Sequence, residues 1–267
     1  MPTVPIVLPV ETVIAKMDER TRELLIGYAD QYETQDFLNG DPSWFMHQVV
    51  GVPDQEVMAL LASCLSYGSR SQFFPKIQFM LDESHGKVYD WVRQGAYKEA
   101  IPDTDACYYR LYTCHQVRCL LAALQAMLTE YGTIGTYVRQ VIARRELSVT
   151  DVMATLWALS DYFQSRGIKG MVPRPVYSLC KRPCMFLRWM VRDGSPVDLG
   201  LWSDFIDKRN LLIPMDTHVQ QMAQQLHLIH QRTATWASVI ALTEELRQVF
   251  PDDPAKGDFA LFGAGVG

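Results

Sequence analysis

Apolar residues recur along this chain every three to four positions, the spacing of helices, and no segment shows the strict alternation of a half-buried strand. Over 19–34, Leu24, Leu25, Tyr28, Ala29 and Tyr32 share one side. Residues 54–67 are apolar nearly all round and stop at Gly68, as a helix sunk in the middle of a bundle should. The rhythm Val117, Leu120, Leu121, Leu124, Met127 and Leu128 predicts a helix over 114–130 that closes at Gly132. Two more follow over 134–143 and 150–164, the second facing Val152, Leu156, Trp157, Leu159 and Phe163 inward.

Local signals set the other boundaries. Asp41-Pro42-Ser43 reads as a turn with a helix start, and Ser71 as the cap of a helix whose Pro75 lies in the tolerant first turn. Gly167, Gly170, Pro173 and Pro175 break the chain before a strongly apolar helix over 182–192, which puts Lys181 at a helix N-terminus. After a turn at Gly194, Asp216 heads a helix whose Val219, Met222, Ala223 and Leu226 share a face. A last long helix over 234–249 stops at Pro251, and the glycines of Phe259 to Gly267 predict tight packing. About ten helices without a fixed repeat predict an all-α, irregular multi-helix fold rather than a solenoid.

At 267 residues the chain is near the length at which one core buds a second lobe, so one compact unit over 1–267 with two lobes is expected. Residues 46–194 would form a central lobe ending in Lys181 and its preceding turn. Residues 1–45 with 195–267 would form the second, carrying Asp216. Residues 1–10 hold three prolines and no basic leader and run into Glu11, so no export signal is expected. Charges or turns interrupt every apolar run, which argues against a membrane span. Six cysteines lie in or beside apolar segments without C-x-x-C spacing and read as reduced core thiols, in keeping with a cytoplasmic address. The sequence sets no oligomeric state, with a monomer as the expectation.

A net charge of −5 argues against a generic nucleic-acid binder. Its local distribution differs. Lys169, Arg174, Lys181, Arg182, Arg188 and Arg192 follow one another with no acidic residue before Asp193. The run reads either as a solvated basic face or as a phosphate-binding segment.

Lys181 and Asp216 stand out because each opens a helix, 35 positions apart. An amine attacks an electrophilic carbon only when neutral. A helix N-terminus disfavours the ammonium by about 0.3–1 kcal/mol, less than one pKa unit. Adjacent Arg182 and burial against Phe186 or Trp189 would have to supply the rest. The plainer alternatives are an ordinary helix-start cation and a helix cap worth about 1 kcal/mol.

The stretch from Cys180-Lys181-Arg182-Pro183 through Pro214-Met215-Asp216-Thr217-His218-Val219 to Phe259-Ala260-Leu261-Phe262-Gly263 resembles an uncharacterised bacterial family, and the likeness extends back through Tyr67-Gly68 and Tyr109-Arg110. More distantly, Pro214 to Val219 is similar to the helix opening that bears the catalytic aspartate in the helix-hairpin-helix DNA glycosylases of the endonuclease III type. Lys181 falls where those enzymes place a nucleophilic lysine. This resemblance implies a two-lobed fold of that type and a base-excision repair glycosylase with AP lyase activity acting on damaged or abasic duplex DNA. Lys181 would be the Schiff-base nucleophile and Asp216 its electrostatic or base partner. Arg70 and Gln72 would enter the gap left by a flipped base, and Lys169, Arg174, Arg182, Thr217 and His218 would contact DNA. The segment before the lysine reads Pro175-Val176-Tyr177-Ser178-Leu179-Cys180, with Gly167 and Gly170 farther upstream, which leaves Lys169 as a second candidate nucleophile. No cysteine follows Asp216, so an iron–sulfur cluster in the usual place is not expected, nor any other cofactor or metal.

Two other readings stand beside this one. A catalytically silent helical protein could bind DNA or RNA through 169–192, or a hydrolase could use Asp216 and His218 with a metal. His218 lacks a ligand at a neighbouring helical position and reads as a hydrogen-bonding residue. Trp189 and Trp202 read as core, and Asp198, Asp253 and Asp258 as turn and cap residues.

Overall fold

A computed structural model describes residues 17–231 and 233–266, so the expectation about residues 1–10 lies outside the described residues. The helices are α1 (Glu19–Tyr32), α2 (Val52–Leu65), α3 (Arg70–Glu83), α4 (Val88–Arg93), α5 (Tyr97–Ala100) and α6 (Cys114–Tyr131). They continue with α7 (Ile134–Ala143), α8 (Asp151–Gln164), α9 (Lys181–Val191), α10 (Thr217–Gln225), α11 (Trp236–Val249) and α12 (Gly257–Val266). The protein is mostly helical, and no described helix is long and apolar enough to cross a membrane. Buried Trp189 and Trp202 belong to one continuous apolar core. Within it α2 is the hub, packing against α9, α4, α7 and the 3₁₀ turn Pro42–His47. Helix α1 runs along α12, and α10 also lies on α12, so the first described helix meets the last.

Several elements differ from their sequence signals for local reasons. Strands β1 (Cys107–Tyr109) and β2 (Tyr112–Thr113) form an antiparallel ribbon, too short for alternation to register. Ser69 rather than Ser71 occupies the N-cap of α3, so Pro75 lies inside the helix and not in its first turn. Glycine content hid α12, whose Gly263 is needed because a Cβ there would fall 2.5 Å from the Tyr32 ring. Of the six cysteines only Cys64, Cys114, Cys180 and Cys184 are buried; Cys107 is exposed and Cys119 half-buried, so core burial accounts for four.

The larger correction concerns the basic run and the three aspartates. Arg188 and Arg192 are not a solvated face: both are about 2 % exposed, Arg188 in the last turn of α9 and Arg192 at its C-cap. Asp198, Asp253 and Asp258 are not merely turn and cap residues but their partners. Arg188 Nε donates to Asp198 at 3.2 Å and its Nη1 to Asp258. Arg192 forks onto Asp253 at 2.8–3.0 Å, reaches Glu33 at 2.7 Å, and shares Asp198. Burial works against the Arg192 charge, and the bonds to Asp253 with the fields of Asp198 and Glu33 outweigh it, raising its pKa further above the usual range. A buried charge persists only when paired, so this network fixes α9 relative to the ends of α1 and α11 and the start of α12.

Arg192→Met should therefore lower unfolding stability by about 3–5 kcal/mol, because it removes the cation shared by buried Asp198 and part-buried Glu33 and Asp253. Burial already pushes the Asp198 carboxyl up against the pull of both arginines, and losing Arg192 would raise it further, which favours the fold only at low pH. Urea unfolding should show the deficit shrinking as pH falls toward 4, and a small, pH-independent deficit would count against the network.

Candidate active site

Lys181 and Asp216 meet. A left-handed residue, Cys180 (φ 49°), turns the chain into α9, and Ser178 Oγ accepts the Cys180 N–H at 2.9 Å, so Lys181 is the first helical residue. Asp216 caps α10: its Oδ1 accepts the Val219 N–H at 2.9 Å, which leaves Oδ2 free to face outward. Lys181 Nζ donates to that Oδ2 at 2.6 Å. One carboxylate thus caps a helix with one oxygen and holds the amine with the other.

The pair lies on the wall of a cleft of about 470 Å³ between α9, α10 and α12. Phe37, Phe262, Leu261, Met185 and Met222 give it apolar walls, while Arg70, His218, Asp41 and Asp258 bring polar groups to it. Arg70 stands 3.8 Å from Asp41, itself fixed by the Ser43 N–H at 3.0 Å. Asp258 holds Arg188 from the same cleft. Burial raises the Asp216 carboxyl, but the Lys181 amine and the Val219 N–H outweigh burial and hold it below the usual carboxylate value. At Asp258 burial wins over Arg188 and Lys181 and pushes the carboxyl up.

The remaining sequence-predicted residues divide. Arg70 and His218 line the cleft with Lys181 and Asp216, and exposed Thr217 opens α10 beside them. Gln72 is exposed on α3 and is not among the cleft-lining residues, and Lys169 is exposed in the loop after α8. Arg174 pairs with Asp161 at 3.1 Å and stacks over Trp157. Arg182 turns away from Lys181 and donates to the Cys64 carbonyl at 2.7 Å, the Tyr112 hydroxyl at 3.0 Å and the Gly170 carbonyl. Phe186 and Trp189 are buried in the core, so the environment expected around the lysine is instead a carboxylate and an open cleft. Tyr67-Gly68 and Tyr109-Arg110 also come together: the Tyr109 hydroxyl donates to the Tyr67 carbonyl, and Arg110 covers the Tyr67 ring at 4.9 Å. Gly68 takes φ +89° there, a backbone conformation that L side chains rarely adopt.

Sequence reasoning missed Asp41, Asp258, Arg188, Phe37 and Phe262 as cleft residues. Only Arg188 carried a signal, as one of two arginines at i and i+4 in an otherwise apolar helix. Among the described residues no three His, Cys, Asp or Glu side chains gather as metal ligands do.

Residues 41–267 match a family described as a protein of unknown function, DUF2400. The chain belongs to that family. Comparison with curated proteins found no match, and comparison with solved structures found none. The matched span contains the whole of α9 and α10, and therefore both members of the amine–carboxylate pair; within the cleft it leaves out only Phe37.

Asn caps a helix about as well as Asp, whereas Ala does not, so Asp216→Ala should be less stable than Asp216→Asn by about 1 kcal/mol. The wild-type advantage over Asp216→Asn isolates the contact with Lys181. Because the folded carboxyl titrates below its ordinary value of 3.8, that advantage should be complete above this value and vanish only as pH falls through the lower folded one. Denaturant titrations across pH 2–7 check this; an advantage already fading near pH 6 would contradict it.

Proposed function

We propose that this protein is a DNA base-excision repair glycosylase with AP lyase activity, using Lys181 as nucleophile and Asp216 as its partner. The observation that carries the reading is the 2.6 Å contact between Lys181 Nζ and Asp216 Oδ2 on the wall of an open cleft, each residue at the front of its own helix. That pairing is what the resemblance to the endonuclease III type implies for these two positions. The cleft volume falls in the range of small-molecule sites, and Phe37 and Phe262 offer faces on which a flipped base could stack.

In this reading Asp216 takes the proton from the Lys181 ammonium along their hydrogen bond, and the freed amine attacks the sugar C1′. The Nζ–C1′ bond forms as the C1′–N glycosidic bond breaks. The bonding pair leaves with the base, which takes from Asp216 the proton that Lys181 gave up. Loss of an amine proton with opening of the sugar ring gives the imine, from which β-elimination cuts the strand. Once that proton has passed on, the Asp216 carboxylate stabilises positive charge at C1′, and the exposed front of α10, with Thr217 and His218, can receive a phosphate. Arg70 at the cleft edge can reach the strand.

The rival reading, a silent binder using 169–192, draws less support. Arg188 and Arg192 are buried in ion pairs, Arg174 is paired with Asp161 and Arg182 with carbonyl groups, which leaves few cations there to meet phosphates.

Borohydride should trap the wild type covalently on duplexes carrying an abasic site. Lys181→Gln should abolish the adduct, and Asp216→Asn should slow it by about 10²–10⁴-fold. Binding of these duplexes without a trapped adduct would favour the silent binder, and neither binding nor trapping would remove DNA from the reading.

A further inference from the structure

Helix α6 opens with His115 and Cys119 four positions apart, hence on one face. The preceding loop is pinned across the helix start, since the His115 N–H donates to the Thr104 carbonyl at 2.8 Å and the Cys114 N–H to that of Ala106 at 2.9 Å. This loop carries Asp103, whose Oδ1 lies 2.6 Å from His115 Nδ1, while His115 Nε2 lies 3.5 Å from Cys119 Sγ. A carboxylate can only accept, so Nδ1 must be the donor. In the neutral ring Nε2 is then a lone-pair acceptor aimed at the thiol. The hydrogen bond from His115 holds the Asp103 carboxyl below its usual range, keeping it an acceptor at neutral pH.

The other groups around the thiol are few. Arg118 donates to the carbonyls of Lys98 and Ile101, both at 2.9 Å, and the Tyr97 hydroxyl donates to Gln125. Burial pushes the Cys119 thiol up, Asp103 adds to this and Arg118 opposes it. A thiol kept protonated at neutral pH is a nucleophile only if a base takes its proton during attack, and Nε2 is in place to do so. His115 and Asp103 are more than half exposed, so a small reactant can reach the cluster.

We propose that Cys119, His115 and Asp103 form a thiol-reactive site, separate from the Lys181 cleft, at which Cys119 exchanges with low-molecular-weight disulfides. Sγ attacks one sulfur of the disulfide; a Cys119 S–S bond forms, and the disulfide's own S–S bond breaks with its electron pair on the departing sulfur. The proton that His115 took from Cys119 passes to that sulfur, so the protein thiol is oxidised and the released half is reduced. Unlike acyl transfer, this exchange requires no oxyanion donors. It needs a thiol, a base oriented by a third group, and access.

Reduced full-length protein incubated with oxidised glutathione at pH 7, with adducts timed at each cysteine by peptide mass spectrometry, tests the proposal. Cys107 is the internal reference, because it is exposed and its thiol donates to the Arg110 carbonyl rather than to a histidine. Cys119 should react at least about tenfold faster than Cys107 despite its lesser exposure, and His115→Asn should remove that advantage while leaving the Cys107 rate unchanged. Asp103→Asn should slow Cys119 several-fold. A wild-type Cys119 no faster than Cys107 overturns the proposal, as does a Cys119 rate indifferent to His115→Asn. Should that variant misfold, the Cys107 rate changes with it, and the wild-type ratio alone decides.

Discussion

Two guanidiniums buried at the C-terminal end of α9 govern the geometry of this protein. Arg188 and Arg192 cannot be left without partners in an apolar core, and the carboxylates that meet them come from Glu33 after α1, Asp198 after α9, Asp253 after α11 and Asp258 in the first turn of α12. Each pairing restricts how α9 can slide or rotate against those elements. Lys181 is the first residue of the same helix, so the network that locks α9 also sets where the amine stands. Helix α10, packed on α12, brings Asp216 to it.

The cap at Asp216 is the second constraint. An N-cap carboxylate normally serves its own helix, and here one oxygen does so while the other lies 2.6 Å from a lysine that opens a different helix. A cation at a helix N-terminus is disfavoured by the dipole, and the Asp216 carboxylate in contact with it offsets that cost. Beneath the pair the cleft continues to Asp258, so the candidate chemistry and the structural ion network share a wall. A substitution in the network is therefore expected to act on the site through the position of α9 rather than through any group that touches a ligand.

Much of this was legible in the sequence, because α1, α2, α6, α7, α8 and α11 each present apolar residues at helical spacing. Lys181 and Asp216 announced themselves as helix-opening residues, one of them against the usual charge preference. Other features depended on contacts between distant segments. Nothing local in Asp253 or Asp258 separates a cap from a buried counter-ion whose arginine lies 61 or 70 positions away. Arg182 looked like a neighbour able to influence the lysine, yet carbonyl groups of α2 and the loop after α8 draw its guanidinium aside. Helix α12 was obscured by its glycines, of which Gly263 lets Tyr28 and Tyr32 of α1 come close. The cleft walls Phe37 and Phe262 come from opposite ends of the chain, and no spacing rule joins them. Cys119 was grouped with core thiols because its apolar neighbours concealed that its own position faces the helix edge.

In the proposed chemistry the Lys181 amine is the group that reaches a sugar carbon. Tandem mass spectrometry of the borohydride-reduced protein–DNA adduct, digested to peptides, reads this directly. The sugar remnant should lie on the peptide spanning Lys181. A remnant on Lys169, on another lysine or on the N-terminal amine would contradict the account.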